Sequence, residues 1–352
     1  MTYAPKGKPA PVVKPGEFVF AAAHLDHGHI YGQCNGLVEA GGELRYVHDP
    51  DPAKVAAFLK SFPSAKPVDA LDRIFDDPDV RMVAAAAVPC DRGPLGCRVM
   101  EAGRDYFTDK SPFTTRGQLE HARAVAKNTA RKYMVYYSER LHVECAVLAG
   151  QLIADGAIGR VVQTMGTGPH RLNAPSRPAW FFDRSKYGGI LCDIGSHQCE
   201  QFLFFTGARD ARLNSSAVAN FNSPAHPGLE DFGEASFAAD NGTSGYFRCD
   251  WLTPDGLSSW GDGRTIILGT TGFIELRKYV NIASGSPDGD HLYLVDSKGE
   301  HHIPCAGKVG FPFFGQLILD SLNRTENAMT QEHAFKAAEL CLTAQEQAVR
   351  LA

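Results

Sequence analysis

The sequence predicts an α/β fold: a doubly wound parallel sheet in the first part of the chain, then an α+β domain with a large, mostly antiparallel sheet. Three observations lead to this prediction. Short apolar segments alternate with helical segments over residues 17–137, and such alternation requires a parallel sheet with right-handed crossovers. Beyond residue 160, strand-like segments follow one another with turn sequences between them, which is typical of hairpins. At 352 residues, the chain is also longer than one hydrophobic core usually serves.

The first part of the chain has a regular order of elements. Residues 1–16 are rich in Pro, Gly and Lys and are predicted to form a flexible, extended arm. Each predicted strand contains a short run of mostly apolar residues, and these strands lie at 17–23, 43–49, 80–88, 105–109 and 133–137. Helices are predicted between them, at 30–40, 52–61, 69–75, 95–102 and 115–128. We assign residues 17–138 to this first, dinucleotide-binding domain of the Rossmann type.

The second part of the chain is predicted to be one domain, residues 139–352, which binds substrate and forms the oligomer. Its predicted strands are bounded by turn residues and lie at 160–167, 235–239, 245–251, 265–269, 272–277 and 291–295. Its predicted helices lie at 142–154, 192–205, 314–323 and 331–352. His301 and His302 are expected on a loop. A broad sheet with an apolar face needs covering, so we expect a homodimer or homotetramer.

Composition narrows the possible partners. The net charge of -5 leaves no basic excess to neutralise a phosphate backbone, so we expect no nucleic-acid partner. No apolar run is long enough to span a bilayer, and the N-terminus lacks the apolar core of a secretory signal. The nine cysteines are scattered without a Cys-x-x-Cys pair. We therefore expect reduced thiols in a cytoplasmic protein that does not associate with membranes.

The turn after the first predicted strand is the first candidate site. It stands where a dinucleotide-binding fold places its Gly-x-Gly-x-x-Gly turn, whose N–H groups contact the pyrophosphate. His24 and Asp26 occupy positions where glycines are expected, and Gly28 remains nearby. Asp49, at the end of the second strand, can accept hydrogen bonds from a ribose diol and would repel a 2′-phosphate, which favours NAD over NADP. The alternative is an ordinary βαβ turn with a solvated Asp49.

The same turn also admits a metal site. Imidazoles and carboxylates are common zinc or iron ligands, and His24, Asp26, His27 and His29 lie within six residues. The three histidines cannot all converge if the turn runs directly into a helix, and no distant ligand is evident. We expect no metal here, and a metal-dependent hydrolase stays as an alternative.

Two further segments carry residues suited to proton transfer. Lys110 follows a parallel strand, where side chains point into the ligand-binding crevice of open α/β sheets. Asp193 and His197 follow the pair Gly188-Gly189 and are spaced i, i+4, so they share one helical face. This pair can act as a general base and its orienting partner. The alternatives are a strand-end lysine in solvent, and a capping aspartate beside a core histidine.

From residue 18 to the last helix, the chain resembles the Gfo/Idh/MocA family of sugar and inositol dehydrogenases. The family's Glu-Lys-Pro turn is matched by Asp109-Lys110, with Ser111 inserted before Pro112. Its Gly-Gly-x-x-x-Asp-x-x-x-His helix entry is matched from Gly188 to His197. Shorter matches lie at 47–52, 88–89, 155–161 and 268–272. The glycine turn departs from the family pattern, which puts cofactor affinity in question.

The resemblance implies hydride transfer between nicotinamide and a carbinol carbon of a sugar, inositol or sugar acid. His197 would take the hydroxyl proton, Lys110 would polarise the oxygen, and Asp193 would hold a neighbouring hydroxyl. The implied NAD site comprises His24, Leu25, Asp26, His27, Gly28, His29, Ile30, Asp49, Val88, Pro89 and Lys110. The expected substrate contacts are Tyr137, Arg140, His170, Arg171, Arg177 and Trp180. Two alternatives remain: a lyase or glycosidase that oxidises its substrate transiently, and a regulator that only binds the nucleotide.

Overall fold

The structure, a computed structural model, describes residues 3–284 and 288–351. It divides into two compact units. The N-terminal unit comprises Lys8–Tyr136 and Phe311–Phe335, and the C-terminal unit comprises Met1–Gly7, Tyr137–Gly310 and Lys336–Ala352. Residues 1–2 of the predicted arm and residue 352 of the last predicted helix lie outside the described residues.

The N-terminal unit is built on a six-stranded sheet in the order β3-β2-β1-β4-β5-β6, in which every pair of neighbours is parallel. Its strands are β1 (Val19–Ala23), β2 (Glu43–His48), β3 (Lys66–Pro67), β4 (Val80–Ala85), β5 (Asp105–Asp109) and β6 (Tyr133–Tyr136). Its connecting helices are α1 (His29–Glu39), α2 (Pro52–Leu59), α3 (Leu71–Phe75), α4 (Pro89–Glu101) and α5 (Arg116–Thr129). The strand order reverses between β1 and β4, which places the ligand crevice at their carboxyl ends.

The C-terminal unit is built on a nine-stranded sheet in the order β14-β13-β12-β11-β7-β10-β9-β8-β15. Its strands are β7 (Val161–Pro169), β8 (Ala211–Ala219), β9 (Phe232–Ala239), β10 (Ser244–Asp250), β11 (Arg264–Gly269), β12 (Phe273–Arg277), β13 (His291–Asp296), β14 (Gly299–Pro304) and β15 (Val349–Arg350). Only β7 with β10 and β8 with β15 pair in parallel. Its helices are α6 (Ser138–Leu141), α7 (Glu144–Ala154), α8 (Arg184–Tyr187), α9 (Ile190–Asp193) and α10 (Gly195–Thr206). The predicted fold class is confirmed.

The expectation that His301 and His302 lie on a loop was wrong. Both residues belong to β14, where His302 pairs with Tyr293 and His301 with Leu294 on β13. Strand β14 was missed because its residues, Gly299–Pro304, are mostly polar. It is an edge strand of the nine-stranded sheet, so its outer edge is exposed to water. The predicted helix from 331 to 352 is also shorter than expected, because the chain leaves it at Glu346 to form β15.

The last two helices are α11 (Pro312–Asn323) and α12 (Gln331–Glu346). Helix α11 belongs to the N-terminal unit, although the sequence places residues 139–352 in one domain. Phe313 packs against Phe107 at a ring separation of 6.0 Å. Ser321 donates a hydrogen bond of 2.5 Å to Asp105, a buried residue at the start of β5. Apolar packing and one buried carboxylate therefore join this distant segment to the parallel sheet.

The N-terminal segment makes specific contacts in each unit. Within the C-terminal unit, the Tyr3 hydroxyl donates to Asp290 at 2.7 Å and the Gly7 N–H donates to Glu144 at 3.0 Å. Within the N-terminal unit, the Val12 N–H donates to the carbonyl oxygen of Ala40 at 3.0 Å. Among the described helices, none combines the length and apolar character needed to cross a bilayer.

Candidate functional site

In the N-terminal unit, the turn between β1 and α1 is held by the ends of both neighbouring strands. Directly after β1, the His24 N–H donates to the carbonyl oxygen of His48 at the end of β2. The Ala86 N–H, after β4, donates to the carbonyl oxygen of His24, and both bonds are 3.0 Å long. The His27 N–H in turn donates to Ala86 at 3.0 Å. His24 has a φ of 51°, a left-handed conformation that a glycine would adopt more readily. The turn is therefore a fixed feature of the crevice despite its lost glycines.

Asp49 braces this turn from the end of β2. Its carboxylate accepts the Leu25 N–H at 2.6 Å and the Asp51 N–H at 2.8 Å. Lys54, at the start of α2, donates to Asp26 at 2.5 Å and lies 3.9 Å from Asp49. Two carboxylates thus share one ammonium group, and this side of the turn keeps a surplus of negative charge. Such a surplus disfavours a 2′-phosphate group.

The start of α1 offers backbone donors. The N–H groups of Gly28 and His29 have no acceptor within the part of the chain that the structure describes. Gly28 is the N-cap residue and supplies no side-chain cap, and a Cβ built on it would meet nothing within 4 Å. Unsatisfied N–H groups and the positive end of the helix dipole together suit a phosphate group. The turn therefore fits the pyrophosphate of a dinucleotide.

On the other side of the turn, four nitrogen atoms surround the carboxylate of Asp109 at the end of β5. The Nδ1 atom of His29 lies 2.7 Å from Oδ1, and that of His27 lies 2.7 Å from Oδ2. The Lys110 N–H donates to Oδ1 at 2.7 Å, and the Arg92 guanidinium donates to Oδ2 at 3.0 Å. Burial raises the pKa of Asp109, but His29, Arg92 and His27 outweigh it and hold this pKa well below its usual value.

These contacts also bear on the metal alternative. The ligand-type atoms of His27, His29 and Asp109 all lie within 4.8 Å of one another. Three of the four nitrogen atoms, on His29, Lys110 and Arg92, are hydrogen-bonded to the carboxylate. Because a carboxylate only accepts, His29 carries its proton on Nδ1 in this arrangement. The Nδ1 atom of His27 makes no hydrogen bond among the described residues. Burial lowers the pKa of His27 to about 4, with further lowering by His29. His24 lies outside this cluster, packed against His48 at a ring separation of 6.1 Å.

Arg92 is a site residue that sequence reasoning missed. It is 1% exposed and lies one turn into α4, the helix that begins at Pro89 directly after Val88. Its guanidinium donates to the carbonyl oxygens of Ala87 and Ser111 at 2.7 and 3.2 Å, and also to that of Lys110. Arg92 therefore fixes the backbone on both sides of Lys110, whose own side chain is buried. An arginine in the first turn of this helix, shortly after an apolar strand, was the available signal.

In the C-terminal unit, Asp193 and His197 follow two glycines with left-handed backbones. Gly188 has a φ of 89° and Gly189 a φ of 97°, and a Cβ on Gly189 would lie 2.3 Å from the Gln345 side chain. The predicted helix 192–205 is two helices, α9 and α10, which join at Ile194. Both candidate residues are buried, Asp193 at 8% and His197 at 1% exposure.

A buried polar network lies along α10 beside His197. Glu139 accepts hydrogen bonds from Gln198 at 2.9 Å and from Lys278 at 3.2 Å. Lys278 also donates to Gln201 at 2.6 Å, and the Gln201 amide donates to the His197 carbonyl oxygen at 2.9 Å. Sequence analysis did not identify this network, because its members come from three separate segments. A buried hydrogen-bond network of this kind rigidifies the helix that carries His197.

The predicted substrate residues separate into two groups. Arg140 forms a buried pair with Glu200 and stacks over Phe204 at 3.7 Å. Arg171 donates to the carbonyl oxygens of Pro254 and Leu257 at 3.0 and 2.6 Å. Both guanidinium groups therefore already have partners within the protein.

The second group surrounds one aromatic cluster. Arg177 stacks over Phe181 at 4.5 Å and over Trp251 at 5.0 Å. The His170 ring lies 5.2 Å from Trp251, and the half-exposed Trp180 lies 5.8 Å from Phe181. Tyr137 is fully buried, with its ring 6.4 Å from that of His197. The structure therefore brings together His170, Arg177 and Trp180, and separately Tyr137 with His197.

Comparison with known proteins places the chain among relatives. Residues 147–275 match the family model of the GFO/IDH/MocA C-terminal domain. A solved structure from Erwinia carotovora atroseptica, assigned as an oxidoreductase, is 49% identical, with coverage of 95% of this chain and 100% of that chain and a TM-score of 0.92. The chain belongs to the Gfo/Idh/MocA family.

The chain is also similar to more distant relatives. The uncharacterized oxidoreductase YdgJ of Escherichia coli K12 is 27% identical over 47% of each chain. Levoglucosan dehydrogenase of Pseudarthrobacter phenanthrenivorans is 25% identical over 46% of this chain and 42% of its own length. A levoglucosan dehydrogenase solved with NADH shares the fold, with a TM-score of 0.77, 16% identity and coverage of 94% and 98% of the two chains. The alignments span about half the length of these curated relatives.

Proposed function

We propose that this protein is an NAD-dependent oxidoreductase that transfers hydride between nicotinamide and a carbinol carbon of a sugar, inositol or sugar acid. The observation that carries the proposal is the turn between β1 and α1. There, the N–H groups of Gly28 and His29 have no acceptor among the described residues, and the space beside Gly28 is open. A dinucleotide pyrophosphate supplies the missing acceptors. The levoglucosan dehydrogenase relative, solved with NADH, supports the same assignment.

The cofactor contacts follow from this placement. Asp49 has its two oxygens engaged by N–H groups of the turn, and each oxygen retains a lone pair for a ribose hydroxyl. Asp26 and Asp49 disfavour the extra phosphate of NADP, so NAD is the preferred cofactor. When bound, the nicotinamide supplies the hydride chemistry. The remaining predicted contacts lie near these elements. Leu25 is in the turn, Ile30 is at the start of α1, and Val88 and Pro89 are at the start of α4.

Lys110, Asp193 and His197 form the proposed catalytic set. The Lys110 ammonium stabilises negative charge on the reacting oxygen, and the His197 imidazole accepts the hydroxyl proton. Asp193 holds a neighbouring hydroxyl of the substrate. Positioned proton transfer of this kind contributes about 10²–10⁴-fold in rate. Arg92 acts as a positioning residue, because it binds the carbonyl oxygen of Lys110 and the carboxylate of Asp109.

Cofactor binding and turnover test the proposal separately. NAD and NADP are titrated by calorimetry, and NADH formation is followed over a panel of polyols, inositols, sugars and sugar acids. We expect binding of NAD, and a loss of about 10²–10⁴-fold in kcat for Lys110→Ala and His197→Ala. The exposed residues Lys127 and His121 supply matched controls as Lys127→Ala and His121→Ala.

Each outcome has a distinct meaning. If neither nucleotide binds, the proposed function is wrong. Binding of NAD with substrate conversion but no net NADH would instead favour transient oxidation within a lyase or glycosidase, and binding with no conversion would favour a regulator.

We further propose a homo-oligomer formed through the open face of the nine-stranded sheet. Large apolar side chains on neighbouring strands are exposed on this face: Met165 at 45%, Tyr246 at 37%, Ile266 at 40%, Leu268 at 44% and Phe273 at 39%. Met165 is the direct neighbour of both Tyr246 and Ile266. Such a contiguous patch is typical of subunit interfaces. Light scattering of wild type and Ile266→Asp tests this: we expect a dimer or tetramer that dissociates in the variant, and a monomeric wild type would refute it.

We propose a cytoplasmic location on the basis of cysteine chemistry. None of the nine cysteines, all of which lie among the described residues, forms a disulfide, and all but Cys90 are buried. Thiol titration of protein purified under oxidising conditions, with and without denaturant, tests whether disulfides form; recovery of nine free thiols supports the proposal.

A further inference from the structure

The C-terminal unit contains a group of buried polar atoms without hydrogen-bond partners among residues 3–284 and 288–351. They are the indole N–H of Trp251 and the hydroxyl groups of Thr253 and Ser259. Trp251 is 6% exposed and Ser259 is 3% exposed. Buried polar groups are nearly always hydrogen-bonded, because an unpaired one has a high free-energy cost. Three such groups within residues 251–259 indicate a ligand that offers hydrogen-bond acceptors.

Arg177 is the charged member of this region. Its Nε donates to the Leu172 carbonyl oxygen at 2.8 Å, and its Nη2 donates to that of Arg171 at 3.3 Å. These bonds and the stacking over Phe181 and Trp251 fix the plane of the guanidinium. No carboxylate of the described residues lies within ion-pairing distance of it. Burial lowers the pKa of Arg177, and the charge of Asp193 acts in the opposite direction.

We propose that Arg177 and the indole N–H of Trp251 bind a carboxylate group of the substrate, so that the substrate is a sugar acid. This inference rests on the proposed function and specifies its substrate class. The planar guanidinium edge matches a carboxylate in a bidentate pair. A carboxylate carries one negative charge, which matches the single positive charge of Arg177. A phosphate monoester carries about -1.5 to -2 at neutral pH and would need further cations.

Matched pairs of ligands test the inference on the full chain in the presence of NAD. Calorimetry compares D-galacturonate with D-galactose, D-gluconate with D-glucitol, and D-glucuronate with D-glucose. We expect at least one acid to bind about 10-fold or more tightly than its neutral partner, since hydrogen bonds to charged groups are the strong ones. D-Glucose 6-phosphate is included as the phosphate probe.

Substitution of Arg177 then locates the effect. Arg177→Met is expected to weaken binding of the preferred acid by about 10–100-fold and binding of its neutral partner by less, so that the preference for the acid is lost. Arg177→Lys, which keeps the charge but loses the planar fork, is expected to give an intermediate loss. Arg212→Met, at an exposed arginine of β8, is the control. If Arg177→Met does not fold, Trp251→Phe removes the N–H group while keeping an aromatic ring, and is expected to lower the preference for the acid.

The inference is overturned if no acid binds better than its neutral partner, if the phosphate binds best, or if the acid preference survives in Arg177→Met. These results differ from failure of the proposed function. An enzyme that binds NAD and oxidises neutral sugars without any acid preference keeps the proposed function and loses only this inference. Absence of NAD binding removes the proposed function, whereas the acid preference can still be measured without cofactor.

Discussion

Substitution of His27 should change how stability depends on pH. Burial lowers the pKa of this imidazole from 6.5 to about 4, so the folded protein binds fewer protons than the unfolded chain between these values. Stability is therefore complete above pH 6.5 and is lost as the pH falls toward 4. At pH 5 the imidazole of His27 is protonated in the unfolded chain and neutral in the folded protein. The pH then lies about 1.5 units below the pKa of the unfolded state, and each unit lowers the free energy of unfolding by about 1.4 kcal/mol. His27 alone should then cost about 2 kcal/mol between pH 7 and pH 5.

Urea unfolding of the cofactor-free protein at pH 7, 6 and 5 measures this effect. The free energy of unfolding of His27→Gln should fall by about 2 kcal/mol less than that of wild type between pH 7 and pH 5. His121→Gln replaces an exposed histidine of α5 and should behave as wild type. Equal losses in wild type and His27→Gln would show that His27 is not held neutral by burial, and the account of the Asp109 cluster would be wrong.

Three further changes test other parts of the two units. Arg92→Met leaves the buried Asp109 carboxylate without its guanidinium and should lower the free energy of unfolding by about 3–5 kcal/mol; a loss below about 1 kcal/mol in urea unfolding would contradict the buried pair. Gly189→Ala places a Cβ 2.3 Å from Gln345 at a φ of 97° and should destabilise by more than about 1 kcal/mol, whereas Gly256→Ala, with open space around it, should not. Asp49→Ala should weaken NAD binding about 10-fold and narrow the preference over NADP in calorimetry; unchanged affinity for both nucleotides would remove Asp49 from the cofactor site.

Much of the fold followed from local patterns in the sequence. Buried parallel strands such as β1 and, apart from Arg81, β4 are apolar runs whose ends are marked by turn residues. Their alternation with helices could therefore be predicted from the sequence. Strand β14 could not be predicted from the sequence, because its residues are polar and its strand character depends on pairing with β13. The resemblance to the Gfo/Idh/MocA family named Lys110, Asp193 and His197, since short motifs keep their order along the chain.

The sequence by itself determined the class of sheet, the order of the elements and the motif residues, because each depends on neighbours along the chain. Only the tertiary structure decided which groups share a carboxylate. His29 meets Asp109 across 80 positions of sequence and Ser321 meets Asp105 across 216. A buried carboxylate collects its donors from the ends of separate strands and helices. No spacing in the sequence records that choice, because it depends on which strand ends lie side by side in the folded sheet.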